Sequence, residues 1–275
     1  MTDYYKFVTV ILVAFKSNKI IDLCLKSIDS RIEIILVDNS NESFLKNRIE
    51  KNFLNVRYIP NSNIGFGAAA NLGASYSKNE YLFFLNPDVV LLNDTIEILF
   101  QTARKLNNQF ALLSPTRNYN KHEVITRVEM SHESPLFLTK ENFFEVNGFD
   151  ENFFLYYEEN DLSKRLSSKN KNILIVNNAK FKHEGFQSHD LNINDEILIN
   201  RHWHYMWSFY YFEKKHNGVL VAIKKTLFIF IRSFLKMILF FYFNKKKYFK
   251  YKARFSGLLN SYLNNKSWYR PRIKE

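Results

Sequence analysis

Apolar runs and helix-period segments alternate along the N-terminal half of the chain. Residues 8–15, VTVILVAF, form a nearly unbroken apolar, β-branched run, as expected of a strand covered on both faces. The following NKIIDLCLKSI places Ile20, Ile21, Cys24, Leu25 and Ile28 at helical spacing, with Asn18 as the candidate cap. Next come a strand over 32–40, a helix over 42–53, a short strand over 55–60 and a small-residue helix from about 66 to 77. A strand over 81–88 and a helix over 95–106 complete this part. Such alternation predicts an α/β fold, a mostly parallel, Rossmann-like sheet flanked by helices on both faces. In sheets of this kind ligands bind beyond the carboxyl ends of the strands. Two of the predicted strands end there in carboxylates, Asp38 and Asp88.

Asp88 sits in YLFFLNPDVVLL, after a proline that can neither donate a ladder hydrogen bond nor continue the strand. The simplest reading makes it a turn residue or a helix cap, since Asn-Pro and Pro-Asp are common turn pairs. The cap is supplied elsewhere, because Asp94 and Glu97 form an Asp-x-x-Glu capping box ahead of ILFQTARKL. Asp88 is therefore expected to face something positively charged. Asp38, in VDNSN, has an Asx-turn as an equally good explanation. In NIGFGAAANLG (63–73), Gly65, Gly67 and Ala70 have dinucleotide-binding spacing, and Asp88 follows Ala70 by 18 residues. That segment comes after two strands rather than in the first strand-to-helix turn. Close approach of a Gly/Ala helix to the sheet is the preferred explanation.

Residues 143–166, FFEVNGFDENFFLYYEENDLSKRL, concentrate aromatics and acids. Asp161 and Arg165 are an i,i+4 helical pair, and acids suit a first helical turn. That accounts for one or two of Glu158, Glu159 and Asp161, but not easily for all three. A carboxylate flanked by Phe153, Phe154, Tyr156 and Tyr157 would be partly desolvated, which raises its pKa towards that of a useful base.

Composition changes the picture in two ways. A single cysteine, Cys24, excludes an intramolecular disulfide and a multi-Cys zinc site, and with no signal-like opening it points to a reducing, cytoplasmic setting. Charge is also uneven. Residues 213–275 carry 16 Lys/Arg against 2 Glu, whereas residues 1–212 are nearly neutral. The expected division is a catalytic domain over 1–212 and a basic amphipathic helical region over 213–275, whose sign points to phosphate on lipid or nucleic acid. Within it, LFIFIRSFLKMILFFYF (227–243) is short for a spanning helix and contains Arg232 and Lys236. These share a face with Lys225 and Ser233, and NKKKYFKYKAR follows with six cations. An interfacial helix with a polybasic anchor on an anionic membrane is expected; packing on the body or in a homodimer is the alternative.

The order VILVAF, ILVDNS, NIGFGAAANLG, LFFLNPDV, NGFDENFFLYYEENDLSKRL and KHEGFQS resembles the family 2 glycosyltransferases, above all their rhamnosyltransferase-like branch. The resemblance covers about residues 7–190. It implies a GT-A fold, inversion at the anomeric carbon, and a role in bacterial surface polysaccharide (O-antigen or capsule) synthesis. The implied donor site comprises Ala14, Asp38, Asn63, Gly65, Asn71, Asn86 and Asp88, with Asp38 on the nucleoside. Asp88 matches the last residue of a metal-binding Asp-x-Asp motif, whose first Asp is Asn86 here. Asp88 and His183 would hold Mg²⁺ or Mn²⁺, which steadies the diphosphate leaving group. Glu158 and Glu159 match a Glu-Asp pair whose second member is the catalytic base, so Glu159 is the first candidate, followed by Glu158 and Asp161. Glu159 stands where Asp is usual, and SHESPLFLTKENF lacks the common small Gly-Ala ahead of the acceptor helix.

The implied partners are a nucleotide-sugar donor, with dTDP-rhamnose first and UDP-hexoses next, a lipid-linked saccharide acceptor, and the inner face of the cytoplasmic membrane. Nucleic acid is not among them. Two alternatives stay open on the residues alone. One is another nucleotide-dependent enzyme, a dehydrogenase revealed by NAD(H) binding or a sugar nucleotidyltransferase revealed by NTP consumption. The other is a non-enzymatic protein whose basic tail gives tight, salt-sensitive binding to bulk DNA or RNA.

Overall fold

A computed structural model of the chain describes residues 3–92, 94–117, 123–130, 135–169, 171–183 and 194–270. Two compact units divide them, one within Met1–Asp150 and Glu159–Asp190, the other within Glu151–Glu158 and Leu191–Glu275. Position 213, where the charge changes, lies inside a helix of the second unit, Asn194–Asn217.

The first unit is built on a nine-stranded sheet. Strands β1 (Val8–Ala14), β2 (Glu33–Asp38), β3 (Val56–Pro60) and β4 (Tyr81–Leu85) pair in parallel in the order β3-β2-β1-β4. Their side chains alternate between two apolar layers. Val10, Leu12, Ile34 and Leu36 face α1 (Ile21–Lys26), α2 (Ser43–Asn52) and α4 (Thr95–Lys105). Ile11, Val13, Ile35 and Val37 face α3 (Phe66–Tyr76), together with residues of α5 (Lys140–Glu145) and α6 (Glu158–Ser167). Burial on both faces explains why β1 reads as a continuous apolar run.

Beyond β4 the sheet becomes mixed, with both parallel and antiparallel pairs. β8 (Leu136–Thr139) runs antiparallel to β4 and to β6 (Leu112–Thr116). β9 (Ile173–His183) is parallel to β6 but antiparallel to β5 (Val89–Leu91) and β7 (Ile125–Val128). β9 is long enough to be shared by three partners, and that sharing carries its C-terminal end back to β5.

Two predicted caps fail. Asp94 adopts a left-handed conformation (φ 59°) and its side chain caps nothing, so no capping box forms. A capping side chain needs an extended backbone at that position. The start of α4 is set instead by Thr95, whose hydroxyl lies 2.7 Å from the Leu92 carbonyl and 2.5 Å from that of Lys180. Asn18 does not cap α1 either, because the helix begins at Ile21, and the Asn18 amide donates to Glu42.

The Gly/Ala run of α3 serves packing. A Cβ on Gly73 would come within 2.7 Å of Ile11 Cγ2, so only glycine lets this helix lie so close to β1.

The second unit contains three long helices, α7 (Asn194–Asn217), α8 (Val219–Phe243) and α9 (Lys245–Tyr262). Gly218 joins the first two at φ 86°, a conformation that L side chains rarely adopt. α7 and α9 approach closely at Gly257, where a Cβ would lie 2.3 Å from the Trp203 carbonyl oxygen. Segment 151–158 packs on α7 through Phe153 against Tyr211 and Tyr157 against Phe209 and Phe212.

Candidate active site

Because β1 to β4 are parallel, their carboxyl ends share one edge. Register places Ala14 opposite Asp38, Asp38 opposite Pro60, and Leu12 opposite Leu85, which puts the Asn86–Asp88 turn at that edge too. A residue the sequence did not single out, Asn39, knits the edge together. Its backbone N–H donates to the Ala14 carbonyl (2.8 Å) and its side chain to the Gly65 carbonyl (3.0 Å), while its Oδ1 accepts from Asn61 (3.0 Å). Gly65 opens α3 at φ 97°, and Asn63 lies half-buried just before it. The polar DNSN tail of β2 was the available signal for Asn39, but turn propensity explains such a tail equally well.

Asp38 is fully buried, and both its oxygens are in use. It accepts from the backbone N–H groups of Ser40 (2.9 Å) and Glu42 (3.0 Å) and from the Tyr58 hydroxyl (2.5 Å). The Asx-turn reading accounts for the backbone contacts, and Tyr58 adds a bond from β3. Burial and the bond to Asp38 push the Tyr58 phenol far above its ordinary pKa, so it stays a donor.

Asn71 also has a local task. Its amide donates to the Phe149 carbonyl (2.9 Å) and accepts from the Phe149 N–H (2.8 Å), a two-bond pairing between α3 and the Gly-Phe-Asp segment. Gly148 permits it, with φ at 63° and no room for a Cβ, which would meet Asn71 Oδ1 at 2.5 Å.

Asp88 is different. It is buried, its Oδ1 has no hydrogen-bond partner, and that atom lies 3.5 Å from His183 Nε2. The β5–β9 ladder causes the meeting, since Val89 pairs with His183 at the end of β9 and Asp88 is the residue before. A buried oxygen with no partner is costly, by about 1–3 kcal/mol or more when charged. A divalent cation fits this pair. Neighbouring ligands about 2.1 Å from an octahedral ion stand about 3 Å apart. Among the described residues no group of three or more His, Cys, Asp and Glu converges on a point, so the chain would supply two ligands and leave the others to phosphate and water. Asn86 is half-buried, and its carbonyl accepts from the Val89 N–H (3.1 Å) and lies 3.7 Å from Cys24 Sγ. Burial and the Asp88 carboxylate push the Cys24 thiol well up, which leaves it a neutral, unreactive support for the turn.

The acidic cluster divides. Asp161 is wholly buried and bound by Arg165, whose Nε lies 2.7 Å away, and Arg165 also donates to the Val146 carbonyl. This is the i,i+4 pair expected from spacing. Asp161→Asn should therefore lower stability by about 3 kcal/mol, as when one partner of a buried pair is removed. Chemical denaturation checks this, and an unchanged midpoint would contradict it. Glu158 is buried and Glu159 half-buried at the start of α6. Phe153, Phe154, Tyr156 and Tyr157 are held by α7, with Phe154 stacked on His204 (4.4 Å between centroids) and the Arg270 guanidinium over its ring at 3.7 Å. Burial lowers His204 to about 3, so the neutral ring donates through Nε2 to the Tyr269 carbonyl (2.8 Å) and accepts at Nδ1 from Ser267. Tyr156 and Tyr157 both have φ of 69°, and such strain, about 1–3 kcal/mol each, persists where packing over-determines it, often at functional sites. Of the KHEGFQS motif only His183 and the preceding Lys182 are described; residues 184–188 lie outside the described residues.

With this geometry in place, the relationships to known proteins can be read. The sequence model of Glycosyl transferase family 2 matches residues 9–165, more than half of the chain. The chain belongs to that family. It is 25% identical over 179 residues to the rhamnosyltransferase WbbL of Escherichia coli K12, covering 50% of this chain and 67% of that protein. It is 24% identical over 198 residues to the low-salt glycan biosynthesis hexosyltransferase Agl10 of Haloferax volcanii, covering 60% of this chain and 63% of that protein. The matches thus span about two thirds of the relatives' own lengths.

Two solved structures share the fold. One is GalNAc-T7 with UDP, GalNAc and Mn²⁺ (TM-score 0.56, 15% identity, 78% of this chain, 52% of that one). The other is S. aureus TarS 1–349 with UDP-GlcNAc (TM-score 0.54, 13% identity, 96% and 93%). The glycosyltransferase is an α/β enzyme of GT-A fold with a C-terminal helical, basic extension, and the resemblance to rhamnosyl- and hexosyltransferases is met. The family match displaces the dinucleotide-binding alternative.

Proposed function

We propose that this glycosyltransferase moves a sugar from a nucleoside-diphosphate sugar to a hydroxyl of a lipid-linked saccharide, with inversion, in bacterial surface polysaccharide synthesis. The observation that carries the reading is the unpartnered Asp88 Oδ1 beside His183 at the carboxyl edge of the parallel strands. dTDP-rhamnose is the first donor, after the WbbL relative, and UDP-hexoses are next. The role of Asp38 is to hold the 38–42 loop in shape for the nucleoside, and Gly65 and Asn63 present backbone at the mouth of α3. Asn71 keeps α3 and the Gly-Phe-Asp segment in register.

Mg²⁺ or Mn²⁺ held by Asp88 and His183 would offset the charge that develops on the diphosphate as it leaves. Glu159 accepts the acceptor hydroxyl's proton while that oxygen bonds to the anomeric carbon and the carbon–diphosphate bond breaks on the opposite face. No covalent enzyme intermediate is needed. Glu158 serves the local structure or the acceptor, and Asp161 with Arg165 fixes α6. A cytoplasmic setting suits nucleotide-activated sugars and a lone thiol.

The test is a panel of nucleotide sugars offered to the full chain with Mg²⁺ or Mn²⁺. Release of nucleoside diphosphate from dTDP-rhamnose or a UDP-hexose is expected. Failure to bind any nucleotide sugar, with binding of NAD(H) instead, would contradict the reading.

A further inference from the structure

We infer that α8 and α9 form a hairpin that lies flat in the surface of a bilayer bearing anionic headgroups, with the outer face of α8 among the acyl chains. The inference stands on the helices alone and does not depend on which sugar is transferred. α8 is inverted relative to a helix of a soluble core. Its inward positions are small or polar, Ala222, Thr226 and Ser233, all buried. Large apolar residues point outward instead, with Leu220 84% and Phe228 72% exposed and Ile231, Leu235 and Ile238 about half exposed. A solvated helix normally shows the opposite arrangement. This apolar face, interrupted near its start by the exposed Lys224 between Leu220 and Phe228, marks a surface that meets a partner.

By length and composition α8 could cross a membrane, at 25 residues with a mean hydropathy of 1.8 over its most apolar stretch. It therefore exceeds the 17-residue run that the sequence alone suggests. Its packing argues against crossing. Thr226 meets the Tyr262 hydroxyl at 2.8 Å, Phe230 stacks on Phe255, and Phe240 stacks on Tyr251, so α9 runs antiparallel along most of α8. α9 carries Lys245, Lys246, Lys247, Lys250, Lys252 and Arg254. A spanning α8 would draw those six cations into hydrocarbon, which is prohibitive. An in-plane hairpin leaves them at the headgroups.

Charge placement names the occupant. The exposed aromatics Phe241, Tyr242 and Phe243 at the hairpin tip adjoin Lys245–Lys247, the pairing of rings and cations that favours the headgroup level. Arg232 and Lys236 lie on one flank of the apolar face, Lys236 packed over the Tyr251 ring (5.1 Å). A second copy seated on the same face would bring two such cationic borders together, in a region with 16 Lys/Arg and 2 Glu.

The test is flotation of the full chain with vesicles of phosphatidylcholine alone and of phosphatidylcholine with phosphatidylglycerol, alongside sedimentation and nucleotide-sugar turnover on a soluble acceptor. The wild type should float with the anionic vesicles and be released by alkaline carbonate. Phe228→Glu with Leu235→Glu, at exposed sites, should cut partitioning at least ~10-fold without changing the circular dichroism or the turnover. Lys245, Lys246 and Lys247 replaced by Gln should cut it roughly 100-fold on anionic vesicles only. Three results would overturn the inference: no flotation by the wild type, a dimer that the Glu variant dissolves, or a carbonate-resistant span. Absence of both turnover and nucleotide-sugar binding in the wild type would count against the catalytic reading instead.

Discussion

Asp88→Asn is expected to reduce sugar transfer at least ~100-fold while leaving the protein as stable as the wild type, or more so. The two halves of that result have one cause. Asp88 is buried with an oxygen that accepts no hydrogen bond, an arrangement that costs stability and persists where function needs it. Replacing the carboxylate by an amide removes the buried charge and relieves that cost. It also removes the hard anionic oxygen that would hold a divalent cation with His183, 3.5 Å away. Steady-state rates over a range of Mg²⁺ and Mn²⁺, with a thermal melt of the same preparations, read both halves. Normal rates at every metal concentration would remove Asp88 from the site. A drop in stability would show that its carboxylate is structurally satisfied after all.

Glu159→Gln should lower the transfer rate by roughly 10²–10⁴ with little change in donor binding, because the amide keeps the shape but takes no proton. Glu159→Asp should retain partial activity, since the matching motif carries Asp there. Glu158→Gln should be milder if Glu158 serves structure, and Asp161→Asn should act mainly through stability, given that Arg165 occupies its carboxylate. Comparing turnover with donor affinity in this set separates chemistry from binding. Wild-type transfer by Glu159→Gln, with Glu158→Gln inactive, would move the base by one residue. Activity in both would place the base outside this segment.

Much of the N-terminal half was legible because it obeys local rules. β1, β2 and β4 are apolar runs buried on both faces, the edge strand β3 is buried on one face, and the parallel edge they share follows from their alternation with helices. The two carboxylates at that edge were legible as a pair, and the turn residues around Asp38 already set them apart, but the packing behind that difference was not. Asp38 is filled by backbone donors of its own turn, whereas Asp88 is left open, and only the β5–β9 ladder reveals this by bringing His183 to it. No spacing rule connects residues 88 and 183.

Asp94 does not cap α4 as the Asp-x-x-Glu spacing suggests, since it takes a left-handed conformation and Thr95 sets the helix start. The aromatics at 153–157 were visible as a cluster, but their packing partners were not. They anchor the chain to α7, and their partners His204 and Arg270 come from a C-terminal half whose charge drew attention away from its packing. α8 showed the reverse problem, because an apolar run does not disclose which of its faces is covered. The small residues Ala222, Thr226 and Ser233 were the readable sign.

The central claim is that Asp88 and His183 hold a cation that carries the donor's diphosphate. It is tested most directly by calorimetric titration of the full chain with dTDP and with UDP, in Mn²⁺ and in EDTA, for the wild type and Asp88→Asn. The account predicts that Mn²⁺ tightens binding of at least one of the two at least ~10-fold in the wild type and has no effect in the variant. Equal binding in Mn²⁺ and EDTA by the wild type, for whichever nucleotide binds, would contradict it.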